Sequence, residues 1–324
     1  LRQSLTFIWQ SLWLTKTDEK RYLRFLACTQ LDHHTMANAR IVKRITKAVK
    51  RTQPKIVVIT FEGYSWERAV TEQLHRENPN IKVLGYQHAV ISGGVRAINK
   101  KFSSGIDPDH IFAAGEIMTK RLLKEGKFKA SHFTYIGSPK ARSLNTSKIG
   151  NALVAIPEGT LSETVMLAEC LCEIARKMPD TLCLLRTHPV LKWQDTYRHI
   201  SGWDNKLSNL HLSDNSLEED ITHAGWVLYR GSSVVINALL AGRRPMYFDA
   251  DGASETTDIL PAEVEWRKIC KSSSDVIAII KSDRQTGWQD DQEMRSAAQD
   301  FAQRYYTPLD YKKFEKVIRG YLTK

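Results

Sequence analysis

Short apolar runs alternate with longer amphipathic segments along most of this chain. In the first half, four runs have the length and β-branched character of strands: 55–61, 82–86, 110–113 and 133–137. Two segments between them repeat apolar residues at helical spacing: 65–78 and 116–126. Because strands that alternate with helices pair in parallel, this half predicts a parallel α/β sheet.

A polar stretch at 138–150 interrupts the pattern and is typical of a linker. Beyond it the alternation restarts, with predicted strands at 152–156, 181–186, 210–212, 226–229 and 245–248. Predicted helices lie at 162–178, 217–223 and 233–241. The tail 274–324 is also helical in pattern. We therefore predict an α/β protein with two Rossmann-like domains, 1–145 and 146–324, which face a central cleft and carry C-terminal helices packed back across both.

One predicted helix, at 35–52, is basic on its polar face. Six cations lie between its apolar positions: Arg40, Lys43, Arg44, Lys47, Lys50 and Arg51. The simpler interpretation is a helix that packs one face on the sheet and exposes the other to water. The alternative is contact with anionic lipid, because a cationic polar face attracts such a surface.

Composition narrows the class of protein. A chain of 324 residues with 42% hydrophobic content can bury two ordinary cores. The net charge of +11 indicates an anionic partner, but it does not separate nucleic acid, a membrane surface and phosphorylated or carboxylated substrates. No apolar run reaches the length that spans a bilayer, and no signal peptide is recognisable. The sequence begins with Leu1 rather than Met, from which we expect a piece trimmed from a longer protein.

The cysteines predict the redox setting. They are five in number, which is odd, and they lack the spacing of a metal-binding knuckle. A reduced, cytosolic environment is the simpler interpretation. Cys170 and Cys172 lie two apart on a predicted helix and face different directions, so we expect a structural role for both.

Two carboxylates follow predicted strands and are each followed by glycine. Glu62 and Gly63 come after the first strand, and Pro157-Glu158-Gly159 repeats the arrangement at the start of the second half. The carboxyl ends of parallel strands form the ligand-binding edge of an open sheet, and a carboxylate there can take the proton of an attacking hydroxyl. Two carboxylates in one cleft also permit double displacement. The structural alternatives are pairing of the first with Glu67 or Arg68, and capping of the next helix by the second.

Two further motifs at strand ends suit a phosphate. Arg186-Thr187-His188-Pro189 delivers a cation and an imidazole, and Pro189 fixes the turn. Near a phosphate, this histidine can stabilise negative charge or donate a proton. Gly231-Ser232-Ser233 begins a predicted helix whose first amides attract an anion, and Arg230 adds a second cation. The structural alternatives are a loop cap for the histidine and an ordinary serine N-cap.

A third stretch joins a strand end to a basic, glycine-hinged loop. Gly85-Tyr86-Gln87-His88-Ala89 is followed by Gly93-Gly94-Val95-Arg96 and then by Lys100 and Lys101. We expect Gln87, His88 and Arg96 to bind an anionic acceptor. The alternative is a solvated loop that binds no ligand.

Together these motifs resemble the pattern of bacterial CMP-sugar transferases. The likeness extends to the sialyltransferases and, more closely, to the Kdo and nonulosonate transferases of capsule, O-antigen and lipopolysaccharide assembly. It spans about residues 55–250 and rests on these stretches, in this order: Thr60-Phe61-Glu62-Gly63-Tyr64-Ser65-Trp66-Glu67-Arg68, Gly85-Tyr86-Gln87-His88-Ala89, Pro157-Glu158-Gly159, His188-Pro189 and Ser232-Ser233. Phe61 stands where the sialyltransferases have a second acidic residue, which is a departure from their inverting motif.

The resemblance implies a GT-B fold and a metal-independent, membrane-associated transferase that needs no cofactor. The reaction would move a ulosonic acid such as Kdo, with retention, from a CMP donor to a lipid-linked or oligosaccharide acceptor at the cytoplasmic face of the membrane. Glu62 would act in catalysis on the acceptor-side domain, and Glu158 would be the nucleophile. His188, Ser232 and Ser233 would contact the CMP phosphate of the donor-binding domain. Peripheral contact with anionic membrane is expected, and nucleic acid is not an expected partner.

Two other classes of protein stay open. A glycerol- or ribitol-phosphate transferase also uses CDP donors, a GT-B frame and catalytic histidines, and donor competition separates it from the first hypothesis. A basic nucleic-acid-binding protein accounts for the charge. Its cations are spread over 40–51, 96–101 and 120–129, however, and are not joined to a recognised nucleic-acid motif.

Overall fold

The computed structural model describes residues 2–14, 16–29, 32–90, 97–102, 105–125, 128–141, 149–250, 252, 257–261, 263–288 and 291–323. Twelve helices lie in these ranges: α1 (Arg2–Trp13), α2 (Thr17–Thr29), α3 (His33–Thr52), α4 (Ser65–Glu77), α5 (Glu116–Glu125), α6 (Leu161–Lys177), α7 (Trp193–Tyr197), α8 (Leu217–His223), α9 (Val234–Leu240), α10 (Ser273–Thr286), α11 (Gln292–Tyr305) and α12 (Tyr311–Leu322). Most of the predicted linker, 142–148, lies outside the described residues.

The first half forms a parallel sheet of four strands in sequence order: β1 (Ile56–Thr60), β2 (Lys82–Gln87), β3 (His110–Ala113) and β4 (Phe133–Tyr135). All four predicted strands are confirmed. On one face, α3 and α4 cover the sheet through Val42, Ile45, Val70 and Leu74. The carboxyl ends of β1 and β2 therefore bring Glu62 and the residues after Tyr86 to one edge.

The second half forms a parallel sheet of six strands: β5 (Ala152–Pro157), β6 (Cys183–Leu185), β7 (Leu210–Leu212), β8 (Ala224–Arg230), β9 (Arg244–Phe248) and β10 (Lys268–Cys270). Their order is β10-β9-β8-β5-β6-β7, so β5 and β8 are central. The five predicted strands are confirmed, whereas β10 was not predicted because a half-exposed run of three residues carries little apolar signal. The carboxyl ends of β5, β6 and β8 place the three remaining motifs side by side.

The C-terminal tail joins the two halves, as predicted. Helix α11 packs on α9 of the second half and on α5 of the first. The chain then crosses to the first half, where the Thr307 amide donates to the Ala114 carbonyl (3.2 Å) and the Asp310 amide donates to the Ile136 carbonyl (2.7 Å). Helix α12 finally packs Phe314 against Phe112 of β3, with ring centroids 5.1 Å apart. A single hydrophobic cluster includes buried residues of both sheets and of α11.

Helix α3 packs as the simpler interpretation predicts. Val42, Ile45 and Val49 contact the core of the first half, while the six basic side chains are exposed. Among the described residues, no helix combines the length and apolar character needed to cross a membrane. Contact of this basic face with lipid stays a prediction.

The cysteines of the second half are buried and unpaired. Cys170 and Cys172 are both buried on α6, as a structural role requires. Burial raises the pKa of the Cys172 thiol to about 11, so it is not a thiolate near neutral pH.

Candidate active site

Glu62 lies at the carboxyl end of the first sheet with its carboxylate held by the loop that follows β2. Its Oε1 accepts hydrogen bonds from the backbone amides of His88 and Ala89, each at 2.8 Å. Gln87 Nε2 lies 3.3 Å from Oε2. The side chain of Glu62 is 11% exposed. A nearly buried carboxylate in a fixed position can act as a general base, provided that a hydroxyl reaches it.

His88 forms an ion pair with this carboxylate. Its Nδ1 lies 3.2 Å from Glu62 Oε1, although the two atoms are not aligned as a hydrogen bond. The neighbouring carboxylate raises the pKa of His88 above its ordinary value. The imidazole also stacks on Tyr86, with ring centroids 6.1 Å apart. The protonated form of His88 is therefore favoured beside Glu62, and acceptor binding by this loop stays a prediction.

The turn after Glu62 is anchored by a second carboxylate. Buried Glu67 accepts from the backbone amides of Glu62 (2.8 Å) and Tyr64 (2.9 Å). Burial raises the pKa of Glu67. Gly63 has φ +82°, and a Cβ there would lie 2.5 Å from the Ile98 amide nitrogen, so only glycine fits this close approach. Arg68 pairs instead with Asp107, at 3.3 Å, so the predicted alternative of an Arg68 pair with Glu62 is wrong.

The second half brings Glu158, Gly159, His188 and Gly231 together. A Cβ on Gly159 would lie 2.9 Å from Cγ of His188, so the imidazole rests directly on this glycine. A Cβ on Gly231 would lie 2.5 Å from Oε2 of Glu158. Both glycines adopt positive φ, at +122° and +67°. Three predicted motifs, from the ends of β5, β6 and β8, therefore form one cluster.

The hydrogen bonding of His188 fixes its tautomer. Its exposed imidazole accepts at Nδ1 from the Val190 backbone amide at 3.3 Å, so a neutral ring carries its proton on Nε2. Pro189 follows in a turn that the Leu191 amide closes by donating to the His188 carbonyl at 2.9 Å. The predicted turn is present, and it leaves Nε2 as the hydrogen-bond donor.

The buried carboxylate of Glu163 stabilises the turn that contains Glu158 and Gly159. Glu163 on α6 accepts from the Glu158 backbone amide at 3.1 Å and from the Thr160 hydroxyl at 3.5 Å. Burial raises the pKa of Glu163 to about 7, while neighbouring Arg230 opposes the increase. Helix α6 follows Thr160, and Glu163 lies in its first turn.

Ser232 and Ser233 precede α9 at the end of β8. Ser233 is the N-cap residue, but its side chain makes no capping hydrogen bond, so the alternative of an ordinary serine cap is wrong. Ser232 is buried. Arg230 is also buried, and its Nη1 donates to the Phe248 carbonyl at 3.1 Å. The three residues lie at one strand end, as predicted, and phosphate binding by them stays a prediction.

Arg186 has a structural partner that the sequence did not indicate. Its Nη1 donates to Asp220 Oδ2 at 2.8 Å and to the Asn215 carbonyl at 2.7 Å. Asp220 is fully buried and also accepts from the Ser213 hydroxyl. The guanidinium therefore balances a buried charge, and a contact with a ligand phosphate would be an additional role. Arg96, the third predicted acceptor-binding residue, lies outside the described residues.

Tyr306 connects the two clusters. It follows α11, is 1% exposed, and its hydroxyl lies near Glu62 and Tyr86 of the first half and beside Ser233 of the second, without a well-formed hydrogen bond. Burial and the adjacent carboxylate raise the pKa of its phenol. The Tyr306 hydroxyl therefore interacts electrostatically with residues of both halves.

Replacing Gly159 with alanine is expected to disturb His188. The new methyl group would meet Cγ at 2.9 Å and Nδ1 at 3.1 Å, so the imidazole must move. We expect a loss of about 100-fold in kcat/KM, the size of effect that misplacement of a reacting group produces. The left-handed backbone adds about 1–2 kcal/mol of destabilisation, to be measured by chemical denaturation.

Gly252→Ala is the matched control for this variant. Gly252 also has positive φ, +73°, but a Cβ there would have no heavy atom within 4 Å. We expect it to share the loss of stability and to keep the activity. Equal activity in Gly159→Ala and Gly252→Ala would show that contact with His188 is irrelevant to the reaction.

Comparison with known proteins places this arrangement in a fold. Searches found no matching protein-family model and no matching curated protein. Solved structures do match. The S. aureus MnaA-UDP co-structure has a TM-score of 0.56 at 12% identity, over 88% of this chain and 79% of that one. A glycosyltransferase from Rickettsia africae ESF-5 has a TM-score of 0.56 at 14% identity, over 89% and 82%.

The chain has a GT-B fold. A third structure with this likeness is a UDP-GlcNAc 2-epimerase from Methanocaldococcus jannaschii in complex with UDP-GlcNAc and UDP. Its TM-score is 0.52 at 16% identity, over 77% of this chain and 74% of that one. The predicted fold class is therefore confirmed. In a GT-B protein both sheets present their carboxyl edges to one cleft, and the clusters around Glu62 and His188 occupy those edges.

Proposed function

We propose that this protein is a glycosyltransferase that moves a ulosonic acid, Kdo or a nonulosonic acid, from a CMP donor to a surface-glycan acceptor. The observation that carries the proposal is one cluster of polar residues at the carboxyl edge of each sheet. One consists of Glu62 and His88, the other of Glu158, Gly159, His188 and Gly231, and Tyr306 interacts with Glu62 of the first half and Ser233 of the second. A carboxylate base on one side and an imidazole donor on the other suit a transfer between two substrates.

The second half is the proposed donor site. CMP is a leaving group with one phosphate, and His188 Nε2 is the hydrogen-bond donor that can face it. A hydrogen bond donated to a departing phosphate oxygen lowers the cost of its negative charge. Ser232, Ser233 and Arg230 supply further polar groups at the same strand end. These side chains can neutralise one phosphate without a metal ion.

The two carboxylates divide the chemistry in the proposed retaining route. Glu158 attacks the anomeric carbon, the bond to CMP breaks, and CMP leaves as a phosphate anion that accepts a hydrogen bond from His188 Nε2. The acceptor hydroxyl then attacks the glycosyl-enzyme while Glu62 takes its proton, and the carboxylate of Glu158 is released. In an inverting route Glu62 alone assists a single displacement, so the anomeric configuration of the product separates the two.

A UDP-sugar enzyme is the second candidate. Two of the structures with this fold were determined with UDP bound, one of them as a UDP-GlcNAc 2-epimerase. The same phosphate-binding groups can serve a diphosphate. The donor nucleotide is therefore the property that decides between the candidates.

Calorimetric titration with CMP, CMP-Kdo, UDP, UDP-GlcNAc and CDP-glycerol tests the proposal. We expect CMP and CMP-Kdo to bind. UDP, UDP-GlcNAc and CDP-glycerol should not compete with CMP for the site. Incubation of the protein with CMP-Kdo and a synthetic or lipid-linked glycan should then give a product whose anomeric configuration is read by NMR. Binding of UDP-GlcNAc with conversion to its epimer, and no transfer from CMP-Kdo, would favour the second candidate.

We also propose that the protein works at the cytoplasmic face of a membrane. The exposed basic face of α3 supports this location, because anionic lipid attracts such a surface.

A further inference from the structure

The same six-residue turn occurs once in each half of the molecule. Glu62-Gly63-Tyr64-Ser65-Trp66-Glu67 follows β1, and Glu158-Gly159-Thr160-Leu161-Ser162-Glu163 follows β5. Each has glutamate at the first and last positions and glycine at positive φ at the second. In both, the last carboxylate accepts a hydrogen bond from the backbone amide of the first glutamate, at 2.8 Å in one half and 3.1 Å in the other.

The last glutamate of each turn is buried inside the protein. Glu67 is 1% exposed and Glu163 is 6% exposed. Each is buried against its own turn: Glu67 accepts from Thr60 and Tyr64, and Glu163 accepts from Thr160. Neither turn is long enough to be held by hydrophobic packing alone, and a buried carboxylate is an expensive group to keep. We therefore expect each buried carboxylate to act through the residues that its turn positions.

The turn of the second half carries two groups of the proposed donor site. Gly159 lies directly under the His188 ring, within contact distance of Cβ, Cγ and Nδ1. Glu158, the first residue of the turn, lays its carboxylate against Gly231. A shift of this turn therefore displaces the imidazole and the carboxylate together.

We infer that Glu163 is a positioning residue for the donor site: its buried carboxylate holds the turn that aims Glu158 and supports His188. Glu67 holds the turn of Glu62 in the same way on the acceptor side. The inference rests on the proposed function for its kinetic consequences, but its structural consequence for His188 is independent of which nucleotide binds.

Variants of Glu163 separate this role from ordinary stabilisation. Glu163→Ala removes the acceptor of both hydrogen bonds, whereas Glu163→Gln keeps an acceptor oxygen of the same reach and removes the charge. At pH 8 we expect about a 100-fold loss of kcat/KM in the alanine variant and about a tenfold loss in glutamine, because neutral acceptors make weaker hydrogen bonds. Glutamine should melt at the same temperature as wild type or higher, since it relieves a buried charge.

The dependence of kcat/KM on pH is a second test of the role of Glu163. Glu158 and Arg230 are the charged groups that act on Glu163, and its pKa of about 7 places its ionisation near neutrality. Wild-type kcat/KM should therefore fall as pH drops from 8 to 6, and Glu163→Gln should lack that fall. The matched variants Glu67→Ala and Glu67→Gln should lower kcat with unchanged affinity for CMP, whereas the Glu163 variants should weaken CMP binding.

NMR of ¹⁵N-labelled histidine tests the inference even if the protein binds no nucleotide. Wild-type His188, assigned with a His188→Asn variant, should show protonated Nε2 and an accepting Nδ1. Glu163→Ala should shift both resonances toward those of a free, tautomer-averaged imidazole, and Glu67→Ala should leave them unchanged. Unchanged His188 resonances in a folded Glu163→Ala protein, or a loss of stability with full activity per folded molecule, would overturn the inference.

Discussion

Replacement of Glu62 by glutamine is expected to lower the rate of sugar transfer by about 10³-fold, within the range that removal of a general base produces. Glutamine has nearly the same shape, and its amide oxygen can still accept from the backbone amides of His88 and Ala89. It cannot take a proton from the acceptor. The loss should therefore fall on kcat, with donor affinity unchanged in a calorimetric titration with CMP.

The difference in stability between Glu62→Gln and wild type should depend on pH. In wild type, the raised pKa of His88 means that pairing with Glu62 stabilises the fold fully below the unfolded pKa of about 6.5 and is lost as pH rises through the folded value. Glu62→Gln lacks this contribution, so its melting temperature should approach that of wild type at high pH.

Glu72→Gln on the exposed side of α4 is the matched control, and it should behave as wild type in both assays. Full turnover by a folded Glu62→Gln protein would remove Glu62 from the catalytic machinery.

Replacement of His188 by alanine is the second large effect. It removes the imidazole that presents Nε2 as a donor, and with it a hydrogen bond to the leaving phosphate. We expect kcat to fall by about 10²–10³-fold and CMP to bind more weakly. His188 is exposed, so its removal should cost little stability.

His199→Ala provides the comparison, because His199 is also exposed in the second half and has no part in the cluster. Rates are to be measured at a saturating concentration of donor, so that weaker donor binding does not lower the measured rate. Equal kcat for wild type and His188→Ala would contradict the assignment of His188 as the hydrogen-bond donor to the leaving phosphate.

The fold was predictable because buried parallel strands are short, apolar and separated by amphipathic helices. Nine of the ten strands were located in this way, since each has an apolar run long enough to stand out from its neighbours. Strand β10 was missed because Lys268 is charged and Ile269 is exposed, so its run carries little apolar signal. Ends of elements were predicted to within one or two residues in most cases, and the tail was placed correctly because its helices had no other partner in the pattern.

The site was predictable where its chemistry lies next to a strand end. The positions of Glu62, Glu158, His188 and Ser233 next to strand ends were predicted in this way, and their roles stay predictions. Tyr306 was not predicted as a site residue. It lies where the chain crosses from the second half to the first, and the local pattern of apolar and polar residues gives no signal of that crossing. Arg186 was taken for a free cation because its partner, buried Asp220, is 34 residues away.

Glu163 was missed although the sequence contains its signal, and Glu67 was considered only as a pairing partner of Glu62. The spacing Glu-Gly-x-x-x-Glu occurs at both strand ends, but only the first two residues of each turn were treated as a motif. A repeated polar pattern after equivalent strands of two similar domains is evidence that its distant member also has a role.

The crossing at Thr307 has a mechanical consequence. Its carbonyl accepts from the Ser138 amide at 2.8 Å, so the segment leaving the first half and the segment returning to it touch at one place. The final helix, α12, begins just beyond this contact and packs on the first sheet. Cutting it off would therefore uncover that sheet and remove support from the returning segment beside the contact.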